Sequence, residues 1–471
     1  MKRGKSKGKS PRAKVKSRGD GVGASSFLPF AFCLLTLAFV HSVQAAGPAA
    51  ERRTLPNGAR LIVSEQHALP MVVIQVLVDG GARRDPHGKD GLASLTADLL
   101  TEGTRSKSAS QIKEAADFIG AGLDTSADTD FALLSLTVLS KDLDTGLGLL
   151  TDVLLHPTFP DAEVARRREA ALASIKASED NPGTVAQHAF VAAVFRGEPY
   201  GHPVIGTADS VRRLTRADVD GFYKQHYRPD DSIIVVAGDV VATDVAQRLE
   251  QALKEWPSRG AEPFAYPAAA AVRLEAVRIE KPITQANILL GHRGVARDNP
   301  DYYALTVMNF VLGGGGFTSR LLDNIRTKAG LAYSVASYFV AGKSPGSFQI
   351  SMQTKNESAL DAIARTCSEL ERIRREPVGD EELADAKLYL TGSFPLRLDS
   401  TAKIAGFLGQ VEFFNLGADY ADTYVQRINA VSKDDVLRVA QQYLHPGELQ
   451  LVVVANLDQA KVTAAAPCAT P

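Results

Sequence analysis

Metal or acid–base chemistry needs imidazoles, thiolates or carboxylates brought close together, and the chain offers few such groupings. Its nine histidines, at positions 41, 67, 87, 156, 188, 202, 226, 292 and 445, include no pair three to five residues apart. The three cysteines, at 33, 367 and 468, are far apart as well, so spacing alone yields no tetrahedral ligand set. A site gathered from distant residues, such as His87 and His202, would have to be made by the fold. Ser94 and Asp98 lie one helical turn apart in GLASLTADLLTEGT. They could hold a cation weakly, but side chains hydrogen-bonded or solvated on a helix are the plainer reading. The run GGGG, Gly313–Gly316, has the glycine density of a phosphate loop without its G-K-[ST] ending or its strand–loop–helix setting. It is read as a flexible turn that lets backbone approach a cleft.

The elements that must position such groups come in two similar sets. LTRADVDGFYKQHYRPDDSIIVVAG, from Leu214, lies over VSKDDVLRVAQQYLHPGELQLVVVA, from Val431. In each, a Thr or Ser cap (Thr215, Ser432) opens an amphipathic helix, a turn with proline (Pro229, Pro446) stops it, and a β-prone run follows. The beginnings match in pattern: PMVVIQVLVDGG and TQANILLGHRG alternate as strands do, and each is followed by a helix. The expected fold class is therefore α+β, with two homologous domains, each a mostly antiparallel sheet with helices packed on one face. The N-terminal domain is placed at 46–260, a Pro/Ala-rich linker at 261–277, the C-terminal domain at 278–460 and a flexible tail at 461–471.

Residues 1–45 read as a leader. Nine Lys/Arg fall within the first eighteen residues, the apolar run FLPFAFCLLTLAFV follows, and VQAA supplies small residues at the cleavage spacing. The expectation is export, to a bacterial periplasm, with no membrane attachment after cleavage. Removing the nine basic residues and Asp20 takes the formal charge from −1 to −9, an acidic balance that argues against nucleic acid. Cys33 leaves with the leader. No disulfide framework is implied; a single Cys367–Cys468 bridge stays open but is not favoured, because nothing in the tail TAAAPCATP would hold Cys468 near a partner.

Four stretches together resemble the pitrilysin/insulinase (mitochondrial processing peptidase-like) zinc metallopeptidases. They are LPNGARLIV at Leu55, GLASLTADLLTEGT at Gly91, EPYGHPVIGTADSVRRLTRADVDGFYKQHYRPD at Glu198 and GGGGFTSRLLDNIRTKAGLAYSV at Gly313. The resemblance implies two clamshell halves around a chamber. It also implies an inverted H-x-x-E-H motif on the first helix, with two zinc ligands and a general base. Laid on this chain, those positions are Ser94, Ala97 and Asp98, and a third ligand falls on Ser174. All four residues that would make the metal site are replaced, so no metal and no cofactor is expected in this chain.

The same resemblance implies that Arg326 and Tyr333 contact substrate near the scissile carbonyl. A guanidinium is a permanent planar donor array, and a phenol can donate to a developing oxyanion. Gly330 is expected to end the helix in a left-handed cap that turns Tyr333 toward the cleft. Leu123, Asp124 and Thr125 fall on the strand that would pair with an extended peptide, and Gly315 and Gly316 on the adjoining turn. The implied function is that of a subunit without zinc, supplying Arg326 and Tyr333 in trans to unfolded peptides cut at the zinc of a homologous partner. The implied alternative is a structural or peptide-binding subunit resembling respiratory-complex core proteins.

Overall fold

The computed structural model describes residues 47–260, 263–268, 274–463 and 468. The expected leader, and parts of the expected linker and tail, lie outside them. Six strands form the first sheet: β1 Glu51–Thr54, β2 Arg60–Glu65, β3 Met71–Val78, β4 Gly122–Ala127, β5 Ala132–Leu139 and β6 Ser232–Gly238, in the order β1-β2-β6-β3-β5-β4. Five form the second: β7 Ala276–Glu280, β8 Gln285–Arg293, β9 Ala332–Val340, β10 Ser347–Lys355 and β11 Gln450–Ala455, in the order β7-β11-β8-β10-β9. Each sheet is antiparallel except for one parallel pair, β2 with β6 and β11 with β7. Apart from the extra β1, the two sheets repeat the same order and the same single parallel neighbour.

The repeat seen in the sequence ends each half. Helix Arg216–His226 begins with a capping box of Thr215 and Asp218, and helix Lys433–Tyr443 with one of Ser432 and Asp435. In both, the cap side chain accepts from the third backbone N–H while the Asp reaches back, closing two otherwise unpaired donors. The strands that follow, β6 and β11, are buried along their whole length.

Burial on both faces requires cover on both faces, and here the halves exchange a helix. Val72, Ile74 and Val76 of β3 pack under helices of their own half. Val73 and Leu77, on the opposite face, pack with Ile404, Ala405 and Leu408 of helix Thr401–Phe413, which belongs to the second half. Reciprocally, Ala186 and Phe190 of helix Pro182–Val194 pack on Leu289, Val452 and Val454 of the second sheet. Each half's own helices thus cover one face, and the other face is closed by a helix from its counterpart.

Polar contacts reinforce this junction. Tyr200 donates to Asp130 Oδ1 at 2.6 Å, the Lys343 backbone N–H donates to Asp130 Oδ2 at 2.9 Å, and the Ser344 N–H donates to the Tyr200 hydroxyl at 3.0 Å. Among the described residues no helix is long and apolar enough to cross a membrane.

The pairing that the sequence left open, and did not favour, is present: Cys367, on helix Ala359–Arg375, forms a disulfide with Cys468. After Lys461, whose φ of 52° reverses the chain, Val462 is buried at 3% exposure and Cys468 packs against the second core. Apolar anchoring of the tail thus brings together two thiols 101 residues apart.

Candidate functional site

The helix that would carry a metal site runs Leu92–Leu99 and packs against helix Asp161–Ser178. Asp85 caps its start, accepting from the Gly91 and Ala93 N–H groups at 2.7 Å each. Burial pushes the Asp85 carboxyl up to about 8, against the opposing pull of the Ala93 and Gly91 N–H groups. Ser94 is half-buried, Ala97 is fully buried and Ser174 is exposed. Burial raises the Asp98 carboxyl above the usual range, opposed by the charge of Arg167.

Zinc does not fit here. A hydroxyl, a methyl and one partly desolvated carboxylate cannot supply the nitrogen, sulfur and carboxylate donors of a zinc site, and among the described residues no group of three His, Cys, Asp or Glu could hold a metal ion. His87 and His202 do line one cleft, together with Asp85, Asp90 and Glu198, but that grouping does not make a metal site either. The link between the two helices is instead ionic. Glu102, just past the first helix and 6% exposed, accepts from Arg166 and from Arg167, whose Nε lies at 2.8 Å. Burial would raise the Glu102 carboxyl, but the hydrogen bonds from Arg167 and Arg166 outweigh it and hold the group below the usual carboxylate range.

Beside that helix lies β4, the free edge of the first sheet. Its inner side is paired with β5, Leu123 opposite Leu136, Asp124 opposite Ser135 and Thr125 opposite Leu134. Its outer side pairs with no strand among the described residues and so presents backbone donors and acceptors, which is what an extended peptide needs in order to add a strand. Leu123 and Thr125 are half-buried on one face, and Asp124 is exposed on the other.

In the second half, helix Tyr302–Asn309 widens into a π-helical turn, Phe310–Gly314, and Gly315 donates back to the Phe310 carbonyl at 2.9 Å. Gly313 and Gly314 thus lie in the π-helical turn and Gly316 opens a short 3-10 turn, Gly316–Thr318, where a flexible turn was expected, and packing is the reason. A Cβ on Gly313 would lie 2.5 Å from Ser337 Oγ and 2.7 Å from Ser337 N, so only glycine lets this turn sit against β9. Gly316, at φ +57°, turns the chain out toward Phe317.

Arg326 sits in a second π-helical turn, Asp323–Lys328, which ends at Gly330 with φ +64°. Gly330 donates to the Arg326 carbonyl and Leu331 to the Ile325 carbonyl, both at 2.9 Å, which is the left-handed cap expected from the sequence. The chain then enters β9, where Tyr333 is the second residue and is 71% exposed. The Arg326 guanidinium lies 5.0 Å from the Phe317 ring and 5.4 Å from the Tyr333 ring. Among the described residues no ion pair includes Arg326. The fold brings Arg326 and Tyr333 together and adds Phe317, 74% exposed, which the sequence reading passed over. A single exposed aromatic carries no spacing signal; its position directly after the glycine run was the available clue.

Comparison with known proteins agrees with this geometry. Residues 60–208 match the insulinase (peptidase family M16) domain, and residues 213–390 match the domain described as peptidase M16 inactive domain. The chain is 29% identical over 399 residues to an uncharacterized zinc protease of Streptomyces coelicolor, covering 83% of this chain and 87% of that one. Its fold is similar to that of a peptidase M16 inactive domain from Pseudomonas fluorescens, with a TM-score of 0.82, 28% identity and coverage of 86% and 98% of the two chains. A chain of complex III2 from Candida albicans shares the fold at a TM-score of 0.74 with 16% identity, over 87% and 97% of the two chains. The chain thus belongs to the insulinase family of peptidases, family M16, as a member whose first helix lacks the H-x-x-E-H zinc motif.

Proposed function

We propose that this chain is the zinc-free subunit of an exported, periplasmic heteromeric peptidase. In this reading it pairs with a homologous chain that carries an intact H-x-x-E-H helix. Arg326 and Tyr333 then bind unfolded peptides and stabilise the tetrahedral transition state at the partner's metal, while the free edge of β4 receives the extended backbone. The observation that carries the reading is the state of Arg326: a guanidinium set between two exposed rings, with no ion-pairing carboxylate among the described residues, has donors to offer a carbonyl or oxyanion.

Chemistry in the two chains would divide cleanly. The partner supplies the Lewis acid; this chain supplies charge-bearing hydrogen-bond donors and a strand edge that fixes orientation. A second reading, a structural or peptide-binding subunit, is favoured by the ionic tie at Glu102 in place of a ligand set, and by a fold shared with a chain of complex III2.

The test is co-purification with a homologous chain bearing H-x-x-E-H, followed by metal analysis and a peptide-cleavage assay on the pair. The paired-peptidase reading expects zinc to follow the partner, and Arg326→Ala and Tyr333→Phe to lower kcat by about tenfold to a thousandfold. Failure of the two chains to associate, or unchanged turnover in both variants, establishes the structural reading instead.

A further inference from the structure

A cleft of about 420 Å³, beyond the loop that follows β8 and along helix Thr401–Phe413, carries Arg297, Arg397 and Lys403 on its walls and no carboxylate. Phe407, Val411 and Tyr420 give it an apolar, partly aromatic lining. These arginines are held differently from most others in the chain. Arg166, Arg293, Arg320 and Arg438 each meet a carboxylate. Arg297 instead donates to the Tyr420 hydroxyl at 2.8 Å and lies over the rings of Tyr302 at 4.0 Å and Tyr420 at 5.4 Å. Arg397 lies over Tyr424 at 5.4 Å and Phe394 at 5.8 Å. Among the described residues no ion pair includes either guanidinium. Lys403 is the exception, reaching Asp399 at 2.8 Å.

Three of the four rings that hold the two guanidiniums, Phe394, Tyr420 and Tyr424, form one cluster with Phe407. Phe394 stacks on Tyr424 at 4.3 Å, and Tyr420 touches both Tyr424 and Phe407 at 5.9 Å. A ring face orients a guanidinium without neutralising it, so the planar N–H fork remains available to an oxyanion. Two uncompensated positive charges converging on one cleft call for a ligand with at least two negative charges. Among common oxyanions, phosphate groups offer that charge together with acceptors that match the guanidinium fork.

We propose that this cleft binds a phosphate-bearing organic anion. Arg297 and Arg397 hold the phosphate, Lys403 completes the cationic rim, and the apolar or planar body of the ligand rests on Phe407 and Tyr420. None of these residues belongs to the Arg326–Tyr333 cluster or to β4, so the assignment stands apart from the peptidase reading.

Calorimetric titration of the purified chain with ADP and with pyrophosphate tests it. The expected result is saturable ADP binding with a Kd between about 10 μM and about 1 mM, weakened about fivefold or more by Arg397→Gln and by Lys403→Gln. Both of those side chains are exposed, so these variants keep the fold even if Arg297→Gln, which loses the Tyr420 contact, does not. Absence of saturable binding of either anion at about 10 mM, or an ADP affinity that both exposed variants leave unchanged, overturns the proposal. Pyrophosphate binding as tightly as ADP overturns the seating of an organic body on the rings.

Discussion

The helix Leu92–Leu99 and the Phe310–Tyr333 segment follow equivalent strands, β3 and β8, of two sheets with the same order, yet their side chains have gone opposite ways. In the first half, charge is consumed internally. Glu102 is buried between Arg166 and Arg167, Asp85 is turned back onto the helix start, and Ala97 is sealed. In the second half, Arg326 lies over two ring faces and joins no ion pair among the described residues, and Tyr333 and Phe317 stand exposed. A polar group whose partners all lie within its own chain is built for stability, whereas an ordered cation without a counter-charge is built to receive something. Under the proposed function, the first helix of one half serves the fold while the Arg326 cluster of the other meets a ligand.

That contrast is broken most directly by comparing matched truncations in the pair that the proposed function calls for. Arg326→Ala should lower peptide turnover by up to about a thousandfold, or about 4 kcal/mol of transition-state stabilisation. Asp98→Ala should change it by no more than about twofold, the scale of a residue outside the reacting groups. Steady-state kinetics on the two variants decides the matter. If Asp98→Ala proves as damaging as Arg326→Ala, the first helix still takes part in the chemistry.

Covalent linkage differs between the halves too. The Cys367–Cys468 bridge closes 101 residues of the second half, and the first half has no cysteine among its described residues. Cys367→Ser should therefore destabilise the protein by about 2–4 kcal/mol, read as a lower denaturation midpoint that the wild type reproduces on reduction. An unchanged midpoint would mean that Val462 and its apolar neighbours hold the tail without the bridge.

What could be read from the sequence, and what could not, follows the range over which each feature is encoded. The capping boxes at Thr215 and Ser432 and the left-handed turn at Gly330 are specified within a few residues, and all are present in the fold. The strand character of β6 and β11 was legible as well. The covering of their second faces was not, because a run such as SIIVVAG demands burial on both sides without saying which helix supplies it. Helices Thr401–Phe413 and Pro182–Val194 reach across from the opposite half to do so. That Ser94, Ala97, Asp98 and Ser174 stand where the resemblance puts the metal residues could be counted along the chain. The ionic tie in their neighbourhood joins Glu102 to arginines 64 and 65 positions away, and only the folded chain brings these together.

That tie gives the smallest of these effects and the finest test of the comparison. Glu102 lies in a buried setting, but its two arginines are partly exposed and can rehydrate if it is neutralised. The expected loss for Glu102→Gln is therefore about 1–3 kcal/mol, below that of a fully buried pair. The dependence on pH fixes the cause. Because Arg167 and Arg166 hold the folded-state carboxyl below its ordinary value, its contribution is present in full above the unfolded pKa, near 4.5. It is lost as pH falls through the lower, folded value. Wild type should exceed Glu102→Gln in denaturation midpoint at pH 7, and the gap should narrow steadily below about pH 4.5. A gap that stays constant from pH 7 to pH 3 would mean that Glu102 acts through packing alone. The first helix would then be held by its apolar face, and the contrast with Arg326 would rest on that cluster alone.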